Sequence, residues 1–330
     1  MRAFEQSASP PISVEQLAHT IRRVALVSSV SLATIFLVVG GVAFYRIDNN
    51  AALPSIVFGA LPLLLICGAG SYWARFLRWH LLILRLAPRL RTLTSARIYV
   101  AGFALGFTPG RIGELIKFSL LRQSTGLPEH ESVGVFLIER LTEACAFAGI
   151  AIGGAWFSHV QGVKLDVDEK LAFVALPILA ALPMAFGVWQ RRGRDNKPPR
   201  WDGAIRSALR ITGFRAVFLA LLCAFLARGF DVVLFWIAVS MSGGMISLGE
   251  SAFAWGTAGL IGGFSLLPAG IGAVEPALVA TVAGFGVAVG SGLAAALLSR
   301  VATLWIWVIP GLVLAFRHLR PGLVEGDDRA

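Results

Sequence analysis

The feature that most constrains this chain is a series of apolar segments that are nearly free of charged residues. A helix of about 20 residues crosses the roughly 30 Å hydrocarbon core of a bilayer, and a soluble domain does not need several such segments. They lie at residues 24–44, 53–73, 132–157, 171–189, 215–240 and 291–316. Hydrophobic residues make up 56% of the chain and charged residues only 15%. We therefore predict an all-α polytopic membrane protein with about six full transmembrane helices.

Two further apolar segments, at residues 96–124 and 250–289, are interrupted near the middle by proline and glycine. The interruptions read TPG at residues 108–110 and LPAG at residues 267–270. Because proline ends a helix and glycine permits a reversal, each segment divides into two arms of about 11 to 17 residues, which is short for a span. We predict two re-entrant helical hairpins, whose turns must be covered by protein or by a watery cavity. A pair of ordinary kinked helices is the alternative.

Positive charge is concentrated between the predicted spans. The net charge is +10, and lysine and arginine cluster at residues 75–97 and 191–215 rather than over one face of a domain. This distribution is typical of cytoplasmic loops under the positive-inside rule, and it argues against nucleic-acid binding. Arg75 and Arg78 are accordingly interpreted as markers of a cytoplasmic boundary, in preference to a role in binding lipid headgroups.

The same rule predicts how the chain is organised. Residues 1–23 form a cytoplasmic N-terminal segment and residues 317–330 a cytoplasmic tail. Residues 24–316 form one membrane domain, with a cytoplasmic loop at residues 190–214. Both termini are expected on the cytoplasmic side of a bacterial inner membrane.

An internal repeat relates the two halves of the membrane domain. In both halves, the proline of the break is followed three residues later by Ile-Gly. An arginine follows inside the next span, Arg140 in the first half and Arg300 in the second. An Ala-Arg pair precedes each break, and its arginines are Arg75 and Arg228. Several landmarks in one order indicate a repeat more strongly than a single match would.

The repeat units cover about residues 53–157 and 215–316. In the predicted topology the first broken segment enters from the cytoplasm and the second from the other side, so the two copies are inverted. Many secondary transporters are built from inverted repeats with broken helices that meet near the bilayer midplane. The pattern therefore favours transport without naming a substrate.

The motifs TPGRIGELIK at residues 108–117 and LPAGIGAVE at residues 267–275 resemble the paired signatures of the lysylphosphatidylglycerol synthase transmembrane, or flippase-like, family. The resemblance runs over residues 21–316. It implies that the chain is similar to the membrane part of bifunctional enzymes, which moves an aminoacylated phospholipid across the bilayer while a soluble domain synthesises it. We expect a stand-alone member without that aminoacyltransferase domain. Stand-alone relatives are associated with glycolipid, polyprenyl-linked or hopanoid lipids, so the resemblance leaves the cargo open.

Ionisable residues within the predicted spans are candidates for function, because a charge at the bilayer centre costs at least about 2.5 to 3.5 kcal/mol on insertion scales. Glu139, Arg140 and Glu143 lie in the middle of one span, and the spacing of Arg140 and Glu143 permits an ion pair on one helix face. These side chains either bind a ligand or lock the helix to a neighbour.

Arg300 occupies the matching place in the second half and has no acidic neighbour in the sequence. Its partner must therefore lie on another helix or on a ligand. A guanidinium directs two donors toward two oxygens of a phosphate. We predict that Arg140 and Arg300 face each other across the repeat axis and hold one anionic headgroup.

Arg111, Glu114 and Glu275 flank the two breaks, where the N-termini of half-helices would attract a phosphate or carboxylate. Capping of those N-termini by the two glutamates is the alternative. Arg228 and Asp231 are three residues apart and are predicted to pair along one helix face, with proton coupling through Asp231 as a weaker alternative.

A lipid transporter, or flippase-like protein, that moves an anionic or lipid-linked amphiphile between leaflets is the favoured function. A membrane-embedded transferase acting on lipid headgroups is less favoured, because the sequence has no metal-binding motif and no nucleophile with a base at a suitable spacing. A non-catalytic scaffold for an envelope-lipid or polysaccharide assembly complex is the third hypothesis. No cofactor or metal is expected. The expected partners are membrane lipids with an anionic or phosphate-bearing headgroup, and either a second copy of the chain or a lipid-biosynthesis protein.

Overall fold

The computed structural model describes residues 53–105, 116–160, 213–265, 267–308 and 311. Every regular element within these ranges is helical, which confirms the all-α prediction. The predicted spans at residues 24–44 and 171–189, and the TPG break at residues 108–110, lie outside the described residues.

The described helices fall into the two predicted halves. The first half contains α1 (Leu53–Ile83), α2 (Thr92–Leu105), α3 (Ile116–Thr125) and α4 (Glu129–Val160). The second half contains α5 (Phe214–Met241), α6 (Leu248–Phe264), a 3₁₀ turn (Pro268–Gly270), α7 (Val274–Gly284) and α8 (Val289–Arg300), and a π-helical turn (Val301–Trp305) continues α8.

The long helices occupy most of the predicted full spans. Two segments of the described chain, Arg215–Met241 and Val289–Val308, are long and apolar enough to cross a membrane. Helices α1 and α4 are longer still, at 31 and 32 residues, but both carry charged side chains within their length. At 1.5 Å per residue each extends over about 45 Å. Helix α1 continues ten residues beyond the predicted end of its span at residue 73, and this places Arg75 and Arg78 inside the helix.

The second broken segment folds into two helices separated by a non-helical turn, as predicted. Helix α6 begins with a capping box, in which the Glu250 amide donates to Ser247 Oγ at 3.2 Å and the Ser247 amide donates to Glu250 Oε2 at 2.6 Å. The turn after it has positive φ at Ala269 (51°), Gly270 (69°) and Gly272 (86°). A right-handed helix cannot continue through such backbone. The break therefore separates arms of 17 and 11 residues, α6 and α7.

The first broken segment is described on both sides of its TPG motif. Its described arms are α2, with 14 residues, and α3, with 10. Helix α2 packs against α3, and α6 packs against α7. Both segments thus place two short helices side by side, which is the arrangement that a hairpin requires.

The two halves are interleaved, because α1 packs along α5 and α4 packs along α6. The second contact is close. A Cβ atom added at Gly154 would lie 2.5 Å from the Gly249 carbonyl oxygen, and one added at Gly256 would lie 2.6 Å from the Ala151 nitrogen. Small residues let helix backbones approach in this way, which is a common form of packing between membrane helices. Charged residues on α1 and α4 are thereby brought toward those on α5 and α8.

Candidate functional site

A cavity of about 470 Å³ lies where the two halves meet. Helices from both halves line it, together with the turn after α6. Among the described residues, its charged lining consists of six cations, Arg75, Arg78, Lys117, Arg140, Arg228 and Arg300, and two carboxylates, Glu139 and Glu143. Arg140 and Arg300, which the repeat relates to each other, therefore share one cavity.

Asp231 joins the halves through two arginines that line this cavity. Its side chain is fully buried, and its Oδ2 atom accepts from Arg75 Nη2 on α1 and lies at the same distance, 2.9 Å, from Arg228 Nη1 on its own helix. The predicted pairing of Arg228 with Asp231 is thus confirmed. Arg75 and Arg228 are also the two arginines of the repeated Ala-Arg pairs, so equivalent residues of the two halves converge on one carboxylate oxygen.

Glu143 on α4 is a second meeting point for arginines. Its carboxylate lies 3.1 Å from Arg140, 3.6 Å from Arg228 and 3.9 Å from Arg78. The predicted pair of Arg140 with Glu143 is therefore present. Because these arginines come from α1, α4 and α5, Glu143 links three helices rather than stabilising only its own.

Lys117 and Glu139 form a buried pair between α3 and α4. Lys117 Nζ lies 3.3 Å from Glu139 Oε2 and 4.6 Å from the centre of the Trp79 ring. An ammonium group is attracted both by a carboxylate and by the face of an aromatic ring. Glu139, which the sequence marked only as an intramembrane charge, therefore holds the second arm of the first broken segment against the following helix.

Arg300 has a partner on another helix. Its Nε atom donates to Glu275 Oε1 at 2.7 Å, and the other oxygen of Glu275 accepts from the Gly272 amide at 2.7 Å. Arg300 Nη2 also lies 3.4 Å from the Ala269 carbonyl oxygen. Of the two possibilities left by the sequence, helix partner or ligand, the structure shows the first. Glu275 both caps the turn before α7 and binds Arg300, so its capping interpretation is supported.

The same type of ion pair occurs in both halves, with the signs of the two charges exchanged. In each, the second arm of the broken segment is tied to the following long helix by an ion pair, Lys117 with Glu139 and Glu275 with Arg300. The partners are 22 and 25 residues apart in the sequence. The two ion pairs thus occupy matching places in the predicted repeat units.

The interpretation of Arg75 and Arg78 as boundary markers is wrong. Arg78 is only 3% exposed, and Arg75 and Arg78 both line the cavity. The positive-inside rule misassigned them because α1 runs on as a helix where the sequence suggested a loop. The repeated Ala-Arg pair was the signal that could have identified Arg75. Lys117 lies at the end of the TPGRIGELIK motif, but it was not singled out.

Arg111 and Glu114 lie outside the described residues. Within the described ranges, the structure contains no group of three or more His, Cys, Asp or Glu side chains that could hold a metal ion.

Most of the remaining side chains that line the cavity are apolar. They include Phe136 and Phe147 from α4, Trp255 from α6 and Leu304 from the π-helical turn. Phe264 lines the cavity although it is 80% exposed, so it lies at the rim. Charged and apolar side chains thus line the same cavity.

Charges in a cavity between apolar helices, two of them long enough to cross a membrane, are typical of a helical membrane protein with a polar interior site. The model of one family, the lysylphosphatidylglycerol synthase TM region, matches residues 19–311. The chain belongs to this family, which confirms the resemblance seen in its motifs and places it among lipid-related membrane proteins. A comparison with curated proteins gave no match.

Proposed function

We propose that this protein moves an anionic or lipid-linked amphiphile between the leaflets of the inner membrane, and that the cargo headgroup binds in the cavity. The observation that carries the proposal is the charge of the cavity. Six cations line it, whereas the carboxylates in it or bound to its arginines are four, Glu139, Glu143, Asp231 and Glu275. The described residues thus carry two excess positive charges at a site where each charge is costly.

The dimensions of the cavity also support a headgroup as the bound part. Its volume of about 470 Å³ lies within the range of about 300 to 1,000 Å³ that is usual for small-ligand sites. Such a volume accommodates a phosphate-bearing headgroup but not two acyl chains as well. The exposed apolar side chains of Phe264 and Leu267 lie at the edge of the cavity, where the chains would leave it.

The proposed mechanism is alternating access. In it, the two broken segments enter the membrane from opposite sides and both termini are cytoplasmic, which is the orientation that the loop charges favour. Two arrangements of the interleaved halves would then open the cavity first to one leaflet and then to the other. The ion pairs of Asp231 and Glu143 cross between the halves, so they are the contacts that such a change would rearrange.

Reconstitution tests the proposal. Purified protein in phosphatidylcholine vesicles that contain a trace of headgroup-labelled phosphatidylglycerol should accelerate exchange of the label between leaflets, as followed by chemical quenching from outside. Vesicles with heat-denatured protein are the control. Exchange no faster than in the control for a panel of anionic lipids would contradict transport. Chemical alteration of the lipid would instead support a transferase. If the lipid is neither exchanged nor altered, the scaffold hypothesis remains.

A further inference from the structure

One arginine of the cavity differs from the other cations in its pairing. Arg75, Lys117, Arg140, Arg228 and Arg300 each have a carboxylate oxygen within 3.3 Å. Arg78 is the exception among the six, since its contact with Glu143 is 3.9 Å long. It is nevertheless deeply buried, with 3% of its surface exposed.

The hydrogen bonds of Arg78 are incomplete, as its ion pairing is. Its Nη1 atom lies 3.5 Å from Thr142 Oγ1, which is at the limit of a hydrogen bond, and its Nε atom is buried with no partner among the described residues. Nε and Nη2 lie on one edge of the guanidinium, the edge that binds two oxygens of a phosphate or carboxylate side by side. Within the part of the chain that the structure describes, this buried fork of donors therefore has no close acceptor.

Such a group is costly to the folded state, because a buried charge and a buried donor both require compensation. Glu143 does not need Arg78, since it is already bound by Arg140 at 3.1 Å and approached by Arg228 at 3.6 Å. Groups that are poorly satisfied by their own protein are concentrated at binding sites, where the ligand supplies the missing partner.

We propose that Arg78 is the residue that binds the oxyanion of the cargo headgroup, with Thr142 beside it, and that the other five cations position it and set the charge of the cavity. This inference rests on the proposed function and deepens it, because it assigns headgroup recognition to one side chain. The ligand class is a phosphate or carboxylate oxyanion, whether it belongs to a lipid or is free in solution.

Binding and stability must be measured together to test this. The full chain in detergent is titrated with dioleoyl phosphatidic acid in mixed micelles, and separately with inorganic phosphate, and the thermal unfolding temperature reports both properties. Arg78→Met removes the guanidinium and keeps much of the length, and Arg78→Lys keeps the charge but not the fork. Arg85→Met is the matched control, because Arg85 is exposed and does not line the cavity.

We expect Arg78→Met to unfold at or above the wild-type temperature, and to bind phosphatidic acid roughly tenfold to hundredfold more weakly, as loss of a charge-assisted hydrogen bond predicts. The affinity of Arg78→Lys for phosphatidic acid should lie between those of Arg78→Met and the wild type, and Arg85→Met should match the wild type. Inorganic phosphate binding that also depends on Arg78 would show that the oxyanion suffices, whereas binding of the lipid alone would show that the apolar wall contributes.

Two results would overturn the assignment. One is undiminished binding by Arg78→Met, or no binding of either probe by the wild type. The other is an Arg78→Met protein that unfolds at a lower temperature and is restored by Arg78→Lys, since that is the behaviour of a structural residue. Binding in micelles does not require leaflet exchange. A wild type that binds but does not exchange lipid would therefore contradict the proposed function and leave the assignment of Arg78 standing.

Discussion

Replacing Asp231 with asparagine is expected to lower the free energy of unfolding by about 3 to 5 kcal/mol, which is the loss typical of removing one partner of a buried ion pair. The carboxylate is fully buried and lies 2.9 Å from both Arg75 and Arg228. Its neutralisation leaves two buried guanidinium groups near each other with one fewer counter-charge. Thermal and denaturant unfolding in detergent measure the change.

A matched control and a compensating variant make this prediction specific. Glu131→Gln removes the same charge from a half-buried position on α4 outside the cavity and should have a smaller effect than Asp231→Asn. Adding Arg75→Gln to Asp231→Asn should recover part of the lost stability, because it removes one of the two uncompensated cations while Arg228 retains Glu143 at 3.6 Å. An Asp231→Asn protein as stable as Glu131→Gln would contradict the convergence of the two halves on this carboxylate.

Arg300→Ala is expected to abolish leaflet exchange without preventing insertion of the chain into the membrane. Arg300 lines the cavity and is paired with Glu275 at 2.7 Å, so the loss has two sources, the missing cation and the carboxylate left buried behind it. A buried carboxylate left without its partner by itself destabilises a protein by several kcal/mol. The single variant therefore does not separate a transport role from a structural one.

The double variant Arg300→Met with Glu275→Gln separates these roles. It removes both charges, and replacing a whole buried pair by residues of similar volume is often close to neutral for stability. We expect its unfolding temperature to return toward that of the wild type and its exchange rate to stay at the level of protein-free vesicles. Recovery of exchange together with stability would show that Arg300 only anchors the turn at residues 267–272.

The sequence predicted those parts of the site that depend on local geometry. The pairs of Arg140 with Glu143 and of Arg228 with Asp231 follow from a spacing of three residues on a helix. The break at Pro268 follows from proline and glycine within an apolar segment. Each of these inferences depends only on the geometry of one helix or one turn. They therefore do not require knowledge of how the helices pack.

The contacts between helices could not be obtained in the same way. Asp231 lies 156 residues from Arg75, and no periodicity brings them together. The partners of Lys117 and Arg300 likewise depend on how each second arm packs against the following helix. The repeat did anticipate that Arg140 and Arg300 would share a cavity, because it assigned them equivalent places in the two halves. Arg78 was missed because an arginine near a predicted span end is usually a topology signal.

If this cavity holds an anionic lipid inside the membrane, the lipid that reaches its wall can be identified directly. Leu260 lines the cavity on α6, whereas its neighbour Ile261 is exposed and does not. A photoreactive amino acid at each position, irradiated in membranes of mixed phosphatidylglycerol and phosphatidylcholine, yields adducts whose headgroups mass spectrometry can count. We predict enrichment of phosphatidylglycerol at residue 260 over residue 261, where the adducts should follow the bulk composition. Equal composition at both positions, or no lipid adduct at residue 260, would contradict the account.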